Sequence, residues 1–491
     1  MQRKTRRIVF IIAAIVFIIA ALSLVLYSFG YRWDKEKFQP VLTGGLYLRV
    51  NTVKPQIYLN GKFLPKATPG LLSSGIFLPN LLPDIYQLEI KKDNYFEWEK
   101  KVEVESQKVT SFSFIVLLPK NPMVNNIYQV TEAEATTTKL KTSEEIIDFL
   151  PLSNNKEIII QTKETATSTD AVLKISNFIN GSNVEIYRQK LAKNESLNLI
   201  PHLKISDGDA NEIIFDLTKG STTTFYLWQR IQPEKLQNLS QLITTTFKLK
   251  NPIQKIEFYP NINGKYLILS GKDLMAVDFN KNETKKITTG IRDFQMKDYS
   301  IFWIDDNNAV FSYNLILDSS NPLSILDLPP KFNINQMTIA PNVQCFALLL
   351  DDGTLYLFRL GQPFEKINDV VKFVFAPDSK KIAYLTKEGE VRVRYLTDVT
   401  GDVINKKGDE VLIRKGISLD ADVEWYADTQ HLILADGKVI YFAEIDNRDQ
   451  INTYIEEFDF NHYLLTNNKN GTIWGIRPDL IQKIDLGYEK I

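Results

Sequence analysis

Cysteine and histidine are scarce in this chain of 491 residues, which contains one cysteine and three histidines. The single cysteine, Cys345, excludes a disulfide framework and a cysteine-based zinc site within one chain. It lies in an apolar run, so we expect a buried thiol. His202, His431 and His462 lie far apart and lack the spacing of a ligand pair. The side chains that most enzymes use for proton transfer near neutral pH are therefore few.

An excess of charge of either sign is also lacking. The 58 basic and 59 acidic residues give a net charge of -1, so no global field attracts nucleic acid and we expect no DNA or RNA partner. The sequence contains no Gly-x-Ser-x-Gly elbow, no phosphate-binding glycine loop and no His-Glu-x-x-His zinc helix. We therefore predict no cofactor and no enzymatic activity.

One long apolar run lies near the N-terminus, where four basic residues precede the uncharged residues 8–31. As a helix, residues 8–27 extend about 30 Å, the thickness of the hydrocarbon core of a bilayer. The basic residues predict a cytoplasmic N-terminus, and the far interface would carry the aromatic residues Tyr27, Phe29, Tyr31 and Trp33. A cleaved signal peptide is the alternative, but its apolar region is usually about 7–15 residues long.

This run divides the chain. We predict a cytoplasmic tail (residues 1–7), an uncleaved transmembrane signal anchor (8–30) and a juxtamembrane linker (31–43). The remaining residues are expected outside the cytoplasm, in the cell envelope, as a β-sandwich (44–119) followed by a β-propeller (120–491).

The sandwich prediction rests on alternation between apolar and polar residues. Residues 46–50, 56–59, 86–90 and 102–104 place apolar side chains at every second position, which is typical of half-buried strands. Asn60-Gly61 predicts a type I′ turn, because both residues tolerate positive φ. A continuous helix is excluded by four prolines, Pro65, Pro69, Pro79 and Pro83.

This part of the sequence resembles the PEGA domain, a small β module of bacterial and archaeal envelope proteins. The likeness runs through residues 45–50, Leu59-Asn60-Gly61, Thr68-Pro69 and residues 82–95. The chain reads Thr52-Val53-Lys54-Pro55 where the family has its naming tetrad. Asp84 and Asn94 replace the usual glycines, but Asp and Asn tolerate the left-handed region. The resemblance implies the fold, an envelope location and an adhesive or spacer role.

A repeated pattern predicts the propeller: an apolar strand, a turn, a second apolar strand and a third strand. The units are anchored at Ile256, Phe294, Met337, Phe373, Val423 and Phe458, with less regular units near Phe149 and Leu203. The six anchors are 38, 43, 36, 50 and 35 residues apart, close to the roughly 40–50 residues of a four-stranded blade.

The predicted fold class is therefore all-β, with seven or eight blades. The first strand of each unit is expected to be continuously apolar and to lie at the central channel, and residues 127–140 are expected to close the ring on the last blade. Residues 376–384, Ala-Pro-Asp-Ser-Lys-Lys-Ile-Ala-Tyr, resemble the repeat of TolB-like (WD-type) propellers.

A weak candidate metal site lies at Asp207, Asp209 and Asn211, whose oxygen side chains alternate as in calcium loops. The glycine after the third ligand and the distal glutamate of an EF-hand are missing, so a solvated loop is the alternative. Four tryptophans are candidates for stacking on sugars, but each lies in or beside an apolar strand, and we expect core packing for Trp228, Trp303, Trp425 and Trp474.

Two functions remain. The first is a membrane-anchored binding or scaffold protein of the envelope that recognises a protein or a cell-wall glycan through the propeller. The alternative is a propeller glycoside hydrolase or lyase with paired carboxylates, since blades can bring distant acids together. A cluster of acids at one end of the channel would favour the enzyme, whereas scattered charges would favour binding.

Overall fold

The computed structural model describes residues 3–35, 37–52, 54–65, 75–130, 143–165, 169–192, 195–326, 332–460, 462–465 and 472–486. The Thr68-Pro69 motif and residues 131–140 of the predicted closing stretch lie outside these ranges.

The chain begins with an apolar helix, α1 (Arg3–Ser28). The most apolar 18-residue window of its segment Arg6–Ser28 has a mean hydropathy of 3.3, and none of that window is buried against the described part of the chain. A hairpin of β1 (Tyr31–Asp34) and β2 (Gln39–Leu42) follows and returns to the helix end, where the N–H of Thr43 donates to the carbonyl of Gly30. Arg32 donates to Asn80 Oδ1 at 2.7 Å, which ties the helix end to the domain that follows.

Two sheets with one shared core form a small N-terminal domain. Its strands are β3 (Gly44–Val50), β4 (Gln56–Leu59), β5 (Lys62–Phe63), β6 (Ile76–Leu81), β7 (Asp84–Lys91), β8 (Trp98–Val104) and β9 (Val109–Ile115). One sheet has the order β6-β3-β9 with β3 and β9 parallel, and the other has the order β5-β4-β7-β8. Leu46, Ile57, Leu88 and Trp98 meet in the core. Asn60 and Gly61 both have positive φ, so the predicted turn is confirmed.

The described residues that follow form eight four-stranded antiparallel sheets, which we call blades 1–8. Blade 1 consists of β11 (Ser143–Pro151), β12 (Glu157–Thr165), β13 (Thr169–Asn177) and β14 (Asn183–Lys190), and blade 2 consists of β15 (Lys204–Ile205), β16 (Glu212–Lys219), β17 (Thr222–Gln229) and β18 (Leu236–Asn238). Blade 3 consists of β19 (Ile253–Phe258), β20 (Lys265–Ser270), β21 (Asp273–Asp278) and β22 (Glu283–Thr289). Blade 4 consists of β23 (Ile291–Lys297), β24 (Ser300–Asp305), β25 (Ala309–Asn314) and β26 (Ser319–Ile325).

The next three blades repeat this order. Blade 5 consists of β27 (Ile334–Ile339), β28 (Cys345–Leu350), β29 (Leu355–Arg359) and β30 (Glu365–Ile367). Blade 6 consists of β31 (Val370–Phe375), β32 (Lys381–Thr386), β33 (Val391–Tyr395) and β34 (Glu410–Arg414). Blade 7 consists of β35 (Asp422–Trp425), β36 (His431–Asp436), β37 (Val439–Glu444) and β38 (Thr453–Glu457). Two short helices lie between blades: the 3-10 helix Ile200–His202 before blade 2, and α2 (Leu239–Phe247) before blade 3.

Blade 8 combines both ends of the repeat region. Its strands are β39 (His462–Leu465), β40 (Thr472–Arg477) and β41 (Leu480–Asp485), and its fourth strand is β10 (Met123–Gln129), which directly follows the small domain. The pairing runs from Met123 opposite Asp485 to Gln129 opposite Leu480. The closing strand therefore overlaps the predicted stretch only at residues 127–129 and starts four residues earlier. The ring of blades is a β-propeller.

The most continuously buried strand of a blade is its second, not its first. All six residues of β28 and of β32 are buried, whereas β27 and β31 alternate between buried and partly exposed residues. The second strand has a neighbour on both edges, and both of its faces pack against adjacent blades. The first strand presents every second side chain to the channel, so the expectation of a continuously apolar channel strand is wrong.

The predicted core residues are buried. Trp228, Trp303, Trp425 and Trp474 are each at most 4% exposed. Cys345 is buried as well, and burial raises the pKa of its thiol to about 11, so the thiol is poorly reactive near neutral pH.

The closing pair of strands can be tested with a disulfide. Asn126 and Gln482 lie directly opposite each other, and their amides are 2.7 Å apart, so their Cβ atoms are within reach of a disulfide. We expect oxidised Asn126→Cys/Gln482→Cys to unfold at a higher temperature, with a gain of about 2–5 kcal/mol, because the link ties the two ends of the ring. The reduced variant is the control. Equal melting temperatures before and after oxidation would mean that the ends do not pair.

Candidate functional site

A buried lysine joins the small domain to the propeller. The side chain of Lys100 is 0% exposed, and its ammonium lies 2.9 Å from Glu444 Oε1. It also donates to the backbone carbonyls of Asp446 at 2.6 Å and Arg448 at 3.0 Å. Trp98 Nε1 donates to the other Glu444 oxygen at 3.0 Å. The acceptors of this ammonium all belong to the propeller, so each contact crosses the boundary between the two domains.

A second set of contacts flanks this lysine. Asp402, in the connection between the third and fourth strands of blade 6, accepts from the hydroxyls of Ser111 at 2.6 Å and Ser113 at 2.8 Å. Arg448 donates to the carbonyl of Ser111 at 3.0 Å and lies 3.8 Å above the ring of Phe112. The outward face of β9 is therefore held by loops of two neighbouring blades.

The joint encloses a cavity of about 290 Å³. Trp98 and Phe112 line one side, and Asp378, Lys381 and His431 line the propeller side. The charged groups pair with each other or with nearby loops, as Lys381 does with Asp378 at 2.9 Å. His431 Nδ1 lies 2.6 Å from Asp428 Oδ2. Such internal pairing suits a structural joint.

The electrostatics of the joint favour its closed form at neutral pH. Burial opposes ionisation of Asp446, but the Arg448 guanidinium and the Lys100 ammonium outweigh it, so the pKa of the carboxyl is held below its ordinary value. A lowered carboxyl pKa stabilises the folded state above the unfolded pKa of about 3.9, and this contribution is lost as the pH falls further.

The sequence contained one signal for this joint. β8 alternates strictly, with Trp98, Lys100, Val102 and Val104 all buried. A lysine on the buried face of an alternating strand needs an anionic partner from elsewhere, since an isolated buried charge is costly. Periodicity could therefore have marked Lys100, but it could not name Glu444.

Replacing Lys100 should separate the domains. We expect Lys100→Met to cost about 3–5 kcal/mol, because Glu444 keeps its buried charge and loses its counterion. Thermal unfolding should then split into two transitions, and limited proteolysis should cut between the small domain and β10. Lys101→Met is the matched control, since Lys101 is exposed on the same strand. Equal stability of the two variants would contradict a rigid joint.

The two faces of the propeller differ in their exposed apolar side chains. Connections between first and second strands and between third and fourth strands open on one face, and the small domain contacts that face through the loops of Asp402 and Asp446. We call it the docked face. On it, every blade from 1 to 6 carries an exposed apolar side chain: Ile179, Ile231, Ile262, Ile316, Leu317, Leu360, Phe364 and Ile404. The opposite face carries Ile325 and Leu419 among the described residues, and Leu242 of α2 lies beside blade 2.

The central channel is lined by ion pairs between neighbouring blades. Lys204 of blade 2 lies 2.9 Å from Glu257 of blade 3, and Lys255 of blade 3 lies 3.0 Å from Asp293 of blade 4. Lys372 and Asp422 repeat the arrangement between blades 6 and 7 at 3.3 Å. Each of these acids is paired with a lysine on the first strand of the preceding blade. The charges are therefore scattered around the ring.

Glu424, also on a first strand, differs from these acids. Burial raises its pKa to about 7, and the charge of Asp422 adds to the effect. A raised carboxyl pKa destabilises the folded state as the pH rises from the unfolded pKa of about 4.3 to about 7, because unfolding then releases a proton.

This titration gives a prediction with a defined sign. Glu424→Gln should be more stable than the unmodified chain at pH 8, by about 2–3 kcal/mol, and nearly equal to it at pH 4.5. Denaturant unfolding of both proteins across this range measures the difference. Asp422→Asn should show a much smaller gain at high pH, because the charge of Asp422 is a minor cause of the raised pKa and pairs with Lys372. A pH-independent difference for Glu424→Gln would refute the assignment.

The predicted calcium loop is an internally bonded turn. Asp207 Oδ1 accepts from the N–H groups of Asp209 and Asn211, and its Oδ2 accepts from the Asn211 amide at 2.9 Å. These bonds explain the loop conformation without an ion, and the calcium hypothesis stays a prediction. Over the described ranges, no three His, Cys, Asp or Glu side chains are grouped as ligands for a metal ion.

No protein-family model matches this chain, and no curated protein matches its sequence. Among solved structures, Kluyveromyces lactis Hsv2 aligns at 12% identity over 64% of this chain and 98% of its own, with a TM-score of 0.39. The C-terminal WD40 domain of Sif2 aligns at 12% identity over 74% and 98%, with a TM-score of 0.43. The propeller assignment rests on the sheets of the chain itself.

Proposed function

We propose that the protein is a membrane-anchored binding or scaffold protein whose small domain and propeller lie outside the cytoplasm, in the cell envelope, and that the docked face binds a protein or a cell-wall glycan. The observation that carries the proposal is the apolar helix Arg6–Ser28, unburied by the described chain, beside a rigid two-domain unit. A helix of this hydropathy needs an apolar environment, and a bilayer supplies one.

The direction of insertion follows from the flanking charges. Arg3, Lys4, Arg6 and Arg7 precede the helix, and basic flanks are retained in the cytoplasm. The short hairpin β1-β2 and the Arg32–Asn80 contact hold the small domain close to the helix end. The likeness to PEGA domains supports an envelope location.

Binding through the docked face is supported by its exposed apolar side chains. Single exposed apolar residues are ordinary on a protein surface, but here they recur in six consecutive blades, on loops held by a rigid frame. Loops on such a frame suit recognition by several separate contacts. Ile231 and Ile316 are 85% and 68% exposed, so their loops are accessible to a partner.

One observation favours the alternative of a carboxylate enzyme. Glu424 has the pKa of a general acid, about 7, but glycoside hydrolysis needs a second carboxylate at a defined separation. The channel acids Glu257, Asp293 and Asp422 are paired with lysines. Binding is therefore the function that these contacts support better.

Single cysteines placed just before β26 and at its last residue test both the membrane topology and the binding face. Ile316 lies on the docked face and Ile325 on the opposite face, and they are 68% and 75% exposed. We expect a membrane-impermeant maleimide to label Ile316→Cys and Ile325→Cys equally on intact cells or spheroplasts. A photoactivated crosslinker attached to the cysteine should capture a partner from position 316 and not from position 325.

The native Cys345 can remain in both variants, because it is buried and should not react with the maleimide. Labelling only after the membrane is permeabilised would overturn the topology. Equal capture from both positions, or from neither, would overturn the assignment of binding to the docked face.

A further inference from the structure

A groove between blades 2 and 3 has the chemistry of a ligand site. It measures about 500 Å³ and opens on the docked face. Its walls come from the ends of β16 and β17, from β18 and α2, and from the two turns of blade 3 that follow β19 and β21. It lies apart from the joint between the small domain and blades 6 and 7.

Glu212 lies at the base of this groove and is 8% exposed. Its Oε1 accepts from Gln229 Nε2 at 2.6 Å, in the pair of residues that begins the β16–β17 ladder. Its Oε2 is buried and has no hydrogen-bond partner within the described part of the chain. A buried carboxylate oxygen without a donor is costly, so the site is completed by a donor that enters the groove.

The other polar residues of the groove are amides. They are Asn211, Gln229, Gln237, Asn263 and Asn280. Asn211, Gln229 and Asn280 each donate to an acceptor of the chain, to Asp207, to Glu212 and to the carbonyl of Asn263, so their oxygens and second N–H groups are the ones that face a ligand. An amide side chain offers both a donor and an acceptor, which matches adjacent hydroxyl groups, themselves donors and acceptors. Among the described residues that line the groove, Glu212 is the one charged side chain.

Aromatic and aliphatic side chains form the apolar walls of the groove. Phe279 and Tyr266 meet edge to face at 6.1 Å, and Ile231 and Leu242 are exposed at the rim. Burial, with the negative charge of Glu212 nearby, raises the pKa of Tyr266 well above its ordinary value, so its hydroxyl stays protonated. Amides beside aromatic and aliphatic walls suit the polar edges and apolar faces of sugar rings.

We propose that this groove binds a short segment of a carbohydrate chain, with a sugar hydroxyl donating to Glu212 Oε2 and the amides contacting neighbouring hydroxyls. The inference rests on the proposed function, since it names a glycan as the ligand of the docked face. A lysine side chain is the competing donor for Glu212. Five amides around one carboxylate favour hydroxyl groups over a cation, which would call for several acids.

Titration calorimetry of the full-length protein in detergent micelles tests the proposal. The probes are tetrasaccharides of N-acetylglucosamine, of α-1,4-linked glucose and of mannose, and a lysine-containing tetrapeptide. We expect at least one saccharide to bind and the peptide not to bind. Glu212→Gln should weaken saccharide binding at least tenfold, because it replaces the acceptor Oε2 or its partner Oε1 with an NH₂ group. Ile231→Ser, a rim change that leaves the core intact, should weaken it severalfold.

Gln362→Ala is the matched control, an exposed amide in a blade 5 loop of the docked face, and should bind as the unmodified chain does. Binding of the peptide in place of every saccharide, absence of saccharide binding, or equal affinity of Glu212→Gln would overturn the proposal. Failure of the cysteine-labelling test would leave this titration unchanged, so the two results separate the groove from the topology.

Discussion

The pairing of β10 with β41 is the constraint on which the rest of the molecule depends. A sheet edge with unpaired backbone groups is a site of unwanted association, and closure of a ring removes it. Here the strand that completes the last blade comes directly after the small domain, between Pro119 and the first blade. The small domain is therefore held at blades 7 and 8 by the chain itself before any side chain contributes.

The joint around Lys100 converts this proximity into a fixed orientation. A buried ion pair is rarely a large net source of stability, because desolvation offsets much of the attraction. Its effect here is specificity, because Glu444 and the carbonyls of Asp446 and Arg448 converge on the ammonium of Lys100. A shifted small domain would leave the ammonium buried without them. Asp402 and Arg448 add contacts to Ser111 of β9.

A fixed joint also determines which propeller surface is open to a partner. The small domain covers the loops of blades 6 and 7 on the docked face, while the loops of blades 1 to 5 stay accessible. The groove of Glu212 lies in this accessible part, between blades 2 and 3. The channel acids Glu257, Asp293 and Asp422, by contrast, are paired with lysines of neighbouring blades. Joint and groove thus lie in different parts of the ring, the joint at blades 6 and 7 and the groove between blades 2 and 3.

The strands, the repeat and the apolar helix were determined by the sequence itself, because they depend on local periodicity. Alternation placed Leu46, Leu48 and Val50 on one face, the Asn60-Gly61 turn followed from backbone sterics, and the spacing of apolar strands indicated blades. Buried positions such as Cys345 and Trp228 were predictable from the apolar residues around them.

Tertiary structure alone decided which charged residues meet. Trp98 and Glu444 are 346 positions apart, and no local pattern relates them. The same holds for the raised pKa of Glu424, which depends on burial in the assembled ring, and for the groove of Glu212, whose lining comes from blade 2, blade 3 and α2. The closing strand was placed too late in the chain because its polar residues resemble a linker, and its identity depends on the distant edge of β41. Local periodicity reports what each segment can bury, and only the assembled ring decides what it is buried against.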